Sequence, residues 1–209
     1  HLESSFLELA GVGLNNFPNT YLKSNKKINI FDKEKYYSEL TFHYWYWKNL
    51  LDKEKNEWVG FCQKRRFWIK TTTKIDSINK NNLKENLLNE PENDWENYES
   101  ILCNPISVSG IKKIKLIKRG MKNLIRDPSL LFDKNKQTIK VHFDLHHGYG
   151  NLEKASEQLS NEDREDFKSF INQNTEFNPH IMFIAKRDIL DKWFTSLFDW
   201  LEKCEKFSL

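Results

Sequence analysis

Along residues 35–51 the chain reads KYYSELTFHYWYWKNLL, and Tyr37, Leu40, Tyr44, Trp47 and Leu51 recur at intervals of three and four. That period places them on one face of a helix, with Asp32 near its start as the candidate cap. Phe42, Trp45 and Tyr46 fall on the other faces, so the helix is expected to be covered on more than one side and to lie near the centre of the fold. The next apolar run, Trp58, Val59, Gly60, Phe61 and Cys62, is short and rich in β-branched and aromatic residues, as an interior strand is. It ends in Gln63, Lys64, Arg65 and Arg66, and the carboxyl end of a buried strand is where open α/β sheets place ligand-binding groups.

Ahead of the aromatic helix, residues 6–16 form a short apolar stretch with Gly11 and Gly13, broken by Phe17-Pro18-Asn19. Gly-Val-Gly is too short a motif to carry a phosphate loop, and a plain turn is the alternative. Residues 71–98 are a polar excursion with one short helix over 83–88, followed by a strand over 100–103 that stops at Asn104-Pro105, since proline cannot donate to a continuing ladder. Residues 111–125 interleave Lys and Arg with Ile and Leu, a basic amphipathic segment that reads first as a solvated helix face. The run KVHFDLHHGYGN reads as an extended or loop segment. Helices are expected over 152–159 and 161–172, the second capped by Asn161 with acidic residues in its first turn. A strand over 180–185 and a long helix close the chain, with Ile189, Trp193, Leu197, Trp200, Leu201 and Cys204 as its buried stripe. Strands separated by helices predict an α/β sheet covered on both faces, with a cleft at its carboxyl edge.

The 209 residues suit one domain, and the whole chain is read as one, whole in itself or a piece of a longer protein. It begins with His1 rather than Met, so residues 1–5 are discounted and the natural start is expected to be trimmed or replaced. The hydrophobic fraction is only 38%, but 15 Phe, 7 Trp and 7 Tyr supply large buried area per side chain. Thirty-three Lys and Arg against thirty Asp and Glu leave a net charge of +3, too weak a field to argue for nucleic acid, so any anion site must be local. Cys62, Cys103 and Cys204 have no zinc-site spacing and no even count, which fits a reducing compartment. No apolar run reaches the ~18–20 residues that a bilayer span needs. The chain is therefore expected in the cytoplasm, with peripheral association at the inner face of the membrane left open.

In YYSELTFHYWYWKN and VGFCQKRRFW the sequence resembles a family, long labelled a domain of unknown function, found in bacterial capsular and exopolysaccharide loci. Its members typically carry Y-x-E-L-T-x-x-Y-W-x-W-K-N and then G-L-C-H-Y-R-R-Y-F. Tyr37, Glu39, Leu40, Thr41, Tyr44, Trp45, Trp47, Lys48 and Asn49 match the first; Gly60, Cys62, Arg65 and Arg66 match the second, while Gln63 and Lys64 replace its His and Tyr and Phe67-Trp68 replaces Tyr-Phe. A third likeness, to Y-N-M-F-I-M-K-K, covers Pro179, His180, Ile181, Met182, Phe183, Ile184, Ala185 and Lys186. His142 and Asp144 stand where the family tends to carry a His and an Asp before a helix. The resemblance implies a GT-A-like nucleotide-sugar fold, with a central, mostly parallel sheet flanked by helices. It also implies a glycosyltransferase that moves a sugar from a nucleotide-sugar donor to an oligosaccharide or polysaccharide acceptor. The alternative is a non-catalytic domain of the same fold that binds a glycan or nucleotide-sugar.

Sugar transfer needs a base for the acceptor hydroxyl and positive charge for the leaving diphosphate. Arg65 and Arg66, with Lys64 beside them, can contact phosphate bidentately; an ordinary exposed basic patch is the competing account. Asp144 or His142 is the candidate base. His142, Asp144, His146 and His147 could also ligate a metal, or be ordinary loop histidines. Many enzymes of this fold hold a divalent metal through Asp-x-Asp, which this sequence lacks, so Mn²⁺ or Mg²⁺ remains open. Glu39, Tyr44, Lys48, Asn49, Gln63, His146, His147 and His180 complete the candidate donor- and substrate-binding set. Nucleic-acid binding through residues 112–122 ranks low, and no nucleic-acid partner is expected.

Overall fold

The long aromatic helix is two helices, α1 (Glu34–Tyr37) and α2 (Leu40–Asn49), in a computed structural model that describes residues 7–52, 54, 55 and 57–208. The discounted residues 1–5 lie outside the described residues. The break is at Ser38, whose φ of 47° is a left-handed value that side chains disfavour. Ser38 N donates to Glu34 O at 2.8 Å and closes the first turn; its own carbonyl accepts from Thr41 N at 3.1 Å and Thr41 Oγ1 at 2.8 Å. Thr41 is fully buried, so this lock is shielded from water. Asp32 does not cap the helix; it sits inside a 3₁₀ turn, Phe31–Lys33. The expected central burial does hold for α2, where Thr41, Phe42, His43 and Trp45 are buried.

The chain is a mixed α/β structure of two compact units. The first runs to Leu102 and takes in Ile181–Phe194. It holds β1 (Ala10–Gly11) and β2 (Leu22–Lys23), a parallel pair, then α1, α2, β3 (Trp58–Gly60), α3 (Leu83–Asn86) and β4 (Ser100–Leu102). A later strand, β7 (Phe183–Lys186), returns to pair antiparallel with both β3 and β4, giving the order β3-β7-β4. The expected central parallel sheet is thus not what the described residues form: the main sheet is short and antiparallel. The reason is the strand that arrives last: β7 is inserted between β3 and β4 and runs opposite to both, so each neighbouring pair in the sheet is antiparallel. Val59 pairs with Ala185 and Gly60 with Ile184, and β3 is an edge strand, half-buried rather than interior.

The second unit comprises Cys103–His180 and Thr195–Leu209. It contains β5 (Ile106–Ser107), α4 (Lys113–Arg119), α5 (Met121–Arg126), α6 (Ile139–His147), α7 (Asn151–Ser156), α8 (Asn161–Gln173) and β6 (Glu176–Phe177), with β5 and β6 antiparallel. Two apolar clusters form its core: Val108, Ile139, Leu152 and Ile171, and Leu116, Leu130, Val141 and Leu145. The segment expected to be a loop, KVHFDLHH, is α6. Val141 and Leu145 are one turn apart on its buried face, a period that the surrounding histidines obscure. Its first free N–H, on Ile139, finds Asn174 O at 2.9 Å. Gly148 and Gly150, with φ of 95° and 79°, take the left-handed values that turn the chain into α7. The cap of α8 is Ser160 and not Asn161, because the Ser160 hydroxyl accepts from Asp163 N.

The closing helix, α9 (Arg187–Ser208), contributes residues to each unit. Its buried stripe is one residue away from the expected one: Leu190 and Phe194 in the first unit and Phe198 in the second are buried, while Trp193 is 50% exposed. Two adjacent apolar stripes are present in the sequence, and packing selects the one that carries the phenylalanines.

Gly120 joins α4 to α5. A Cβ there would lie 2.7 Å from Leu145 Cδ2 and 2.8 Å from Leu116 O, and the backbone oxygen cannot move aside. Gly120→Ala is therefore expected to destabilise the fold by about 1–3 kcal/mol, read as a lower denaturation midpoint in urea with an unchanged slope.

Candidate functional site

In the first unit the signature residues converge on the start of α2. Glu39 follows the strained Ser38, and its Oε2 accepts from Gln63 Nε2 at 2.9 Å. Gln63 Oε1 in turn accepts from Arg66 Nη1 at 3.1 Å. The backbones of Gln63 and Arg66 exchange hydrogen bonds, at 3.2 and 3.1 Å, so Lys64 and Arg65 form the tip of a tight turn. Lys64, Arg65 and Arg66 are exposed. The turn stands on buried Phe61, whose ring is 4.3 Å from His43, 5.4 Å from Tyr46 and 5.2 Å from Phe183, and whose carbonyl accepts from Trp68 Nε1 at 3.0 Å. Three cations are thereby carried on a braced support, and the brace is a neutral amide.

The rest of the signature ties α2 to other segments of the unit. Trp45 Nε1 donates to Lys26 O at 2.8 Å and Trp47 Nε1 to Asp191 Oδ1 at 2.8 Å. Asn49 Nδ2 reaches Ile28 O and Trp45 O, both at 2.7 Å, and Asn49 Oδ1 accepts from Ile28 N at 3.3 Å. The Asn49 amide, read as a substrate contact, is thus engaged in holding the chain at residues 26–28. Lys48 Nζ lies 3.1 Å from the centre of a Trp47 ring and 5.8 Å from Tyr44. Burial lowers the Lys48 pKa, and the Asp191 carboxylate opposes that shift.

Sequence reasoning missed two cavities of this unit. One, of about 230 Å³, is lined by Gly11, Gly13, Asn15, Asn16, Lys23 and Ser24, and the buried Ser24 hydroxyl has no hydrogen-bond partner among the described residues. Gly11 and Gly13 were visible as a glycine pair, but nothing in the sequence linked them to Ser24 across the β1–β2 pairing. The other, of about 200 Å³, is walled by Trp58, Phe67, Trp68 and Trp95, with Asn89 and Glu90 as polar lining.

In the second unit α6 sets the histidines by helical spacing. His142 and His146 are one turn apart with ring centres 4.4 Å from each other. His146 Nδ1 meets His142 O at 2.7 Å, and its Nε2 meets Lys115 Nζ at 2.7 Å. His147 lies on Phe143, ring centres 4.5 Å apart. His142 is held below the usual imidazole pKa, first by burial and then by the charges of His146, Lys115 and His147; its Nδ1 is buried and unpartnered among the described residues. Asp144 is buried and committed: Oδ2 faces Lys140 Nζ at 3.3 Å, and Oδ1 accepts from Gly150 N at 2.9 Å. His180 is partly buried, its backbone N–H donating to Asn178 Oδ1 at 3.0 Å. Among the described residues no three His, Cys, Asp or Glu side chains form a group that could hold a metal ion. No helix among them is long and apolar enough to cross a membrane.

The family described as "Domain of unknown function (DUF4422)" matches residues 6–208. No curated protein matches. Among solved structures, the apo structure of WbbM, a bifunctional glycosyltransferase, is similar with a TM-score of 0.60 at 21% identity, over 89% of this chain and 31% of that one. The likeness is one of fold, and this chain spans about a third of the WbbM chain.

His43 lies wholly inside the aromatic cluster, where burial lowers its pKa from 6.5 to about 3, and its Nδ1 has no partner among the described residues. The folded state therefore favours the neutral ring, and the unfolded chain binds a proton more readily below pH 6.5. Stability from this group is complete above pH 6.5 and is lost as pH falls toward 3, amounting to about 2 kcal/mol by pH 5. His43→Phe removes that dependence. Denaturation at pH 7.5 and pH 5 is expected to show the variant losing about 2 kcal/mol less than the parent; equal losses would mean that His43 protonates in the folded state.

Proposed function

Since the chain belongs to the DUF4422 family, we propose that it is a glycosyltransferase-like domain that takes a nucleotide-sugar donor and serves sugar transfer to a glycan acceptor in surface-polysaccharide synthesis. Two things support the reading beside the family: the fold shared with WbbM, and the braced turn at residues 63–66. In the reaction the acceptor oxygen attacks the anomeric carbon, its proton passes to a base, and the bond to the diphosphate breaks with its electrons going to phosphate oxygen. Arg65 and Arg66 meet the growing phosphate charge, with Lys64 adding a point charge, and guanidinium groups suit this because they can donate two parallel hydrogen bonds.

The observation that carries the proposal is the chain of contacts from Glu39 through Gln63 to Arg66. Exposed cations on a free loop would be an ordinary surface patch. Here one guanidinium is held by a side-chain amide, and that amide by the carboxylate of Glu39, which follows the strained Ser38. Glu39 and Gln63 are positioning residues in this scheme. Of the two candidate bases in the second unit, Asp144 has both oxygens committed, while His142 keeps a ring nitrogen unpartnered among the described residues.

Thermal shift and titration calorimetry with UDP-, GDP-, CMP- and TDP-linked sugars, with and without Mn²⁺, test the donor site. One nucleotide class is expected to stabilise the protein, and the double variant Arg65→Ala/Arg66→Ala to weaken that binding by on the order of a hundredfold, as loss of charge-assisted contacts does. Gln63→Ala is expected to cost less, by about tenfold, since it frees Arg66 without removing it. Binding without turnover toward glycan acceptors would identify a binding domain; no binding of any donor by folded protein would reject the proposal.

A further inference from the structure

The face formed by α4 and α5 carries chemistry that the donor-site reading does not use. Residues 111–126 contain seven Lys and Arg side chains and no carboxylate. Gly120 ends α4 and opens α5: its N–H closes the first helix on Leu116 O at 2.7 Å, and its carbonyl accepts the first hydrogen bond of the second, from Leu124 N–H at 2.9 Å. Leu116 and Leu124 pack inward with Leu130 and Leu145. Ile114 and Ile117, three apart on α4, and Met121 and Ile125, four apart on α5, form an outward aliphatic set. These four are 61%, 48%, 52% and 75% exposed. Phe132 is 79% exposed, with Lys113 Nζ of α4 4.8 Å from its ring centre.

An ordinary solvated helix face does not look like this. On α9 the exposed lysines lie beside acidic partners one turn away, as in Lys192–Asp188, Lys203–Asp199 and Lys206–Glu202. On α4 and α5 the lysines alternate with an outward aliphatic stripe, which a solvated face does not need. A soluble polyanion would satisfy the cations and leave the aliphatic stripe in water. An anionic lipid surface takes both, the aliphatic side chains entering the headgroup boundary and the cations meeting phosphates. We propose that the α4–α5 face docks the second unit onto an anionic lipid surface, with the helices lying in the plane of the interface. This revises the solvated-face reading of residues 111–125 and needs no sugar transfer.

Co-sedimentation of the purified chain with vesicles of phosphatidylcholine alone, or with about 30% phosphatidylglycerol, tests it at low and at physiological salt. Binding is expected to the phosphatidylglycerol vesicles only, and to weaken with salt. Each cation contributes roughly fivefold, so Lys118→Gln/Arg119→Gln/Lys122→Gln is expected to lower partitioning by about a hundredfold. Ile117→Ser/Met121→Ser/Ile125→Ser, at exposed positions that leave the core untouched, is expected to lower it by at least about tenfold with the melting temperature unchanged. A serine variant that binds as the parent does would overturn the proposal, as would a folded parent that ignores phosphatidylglycerol vesicles. A DNA duplex bound equally by parent and serine variant, with vesicles unbound, would reassign the face to nucleic acid.

Discussion

Trp45 is buried on α2 and Trp47 and Asn49 are half-buried there, and each carries an N–H group that finds an acceptor inside the protein as it leaves water. That requirement organises the first unit. The acceptors come from three separated places: Lys26 O, Asp191 Oδ1 and Ile28 O. Satisfying the donors of one ten-residue helix therefore fixes the chain at residues 26–28 and the first turns of α9, and the packing of His43 on Phe61 fixes the turn that follows β3. Conserving hydrogen bonds under burial accounts for why the aromatic signature is so dense in residues that can donate.

The second unit solves the equivalent problem with a charge. Lys140 and Asp144 are both buried on α6, and a buried pair is retained only when the remaining lone pairs are filled. The second Asp144 oxygen is filled by Gly150 N–H, which the positive φ of Gly148 and Gly150 brings back over the helix end. This is why Asp144 reads as a candidate catalytic group in the sequence and as an internal cap in the structure. A carboxylate beside histidines and glycines has the composition of an active site, and only the geometry tells which acceptors are already in use.

What was legible follows the same division. The identity of α2, β4, β7, α8 and α9 could be read because each has a clear period or a proline stop, and the cations after β3 could be read as a local feature. The break at Ser38 could not, since its cause is a buried threonine three residues on that locks a backbone angle serine does not prefer. Nor could α6, whose apolar positions are diluted by polar ones, nor the antiparallel order β3-β7-β4, which depends on a strand that arrives about eighty residues after β4. The stripe on α9 was ambiguous in principle, because two apolar rows compete and only packing density separates them.

Net charge says little about this protein, and the neighbours of each cation say much more. Lys192, Lys203 and Lys206 are matched locally by acids and have no attraction left for a distant anion. The cations of residues 64–66 stand beside a brace of polar side chains, which holds a fixed geometry and so suits a small, directional anion such as a diphosphate. Those of residues 112–126 are spread along two helices beside exposed aliphatic side chains, most of them on long lysine stems, an arrangement that suits an extended surface. Among equal charges, rigidity favours a point contact and an adjoining apolar stripe favours an interface.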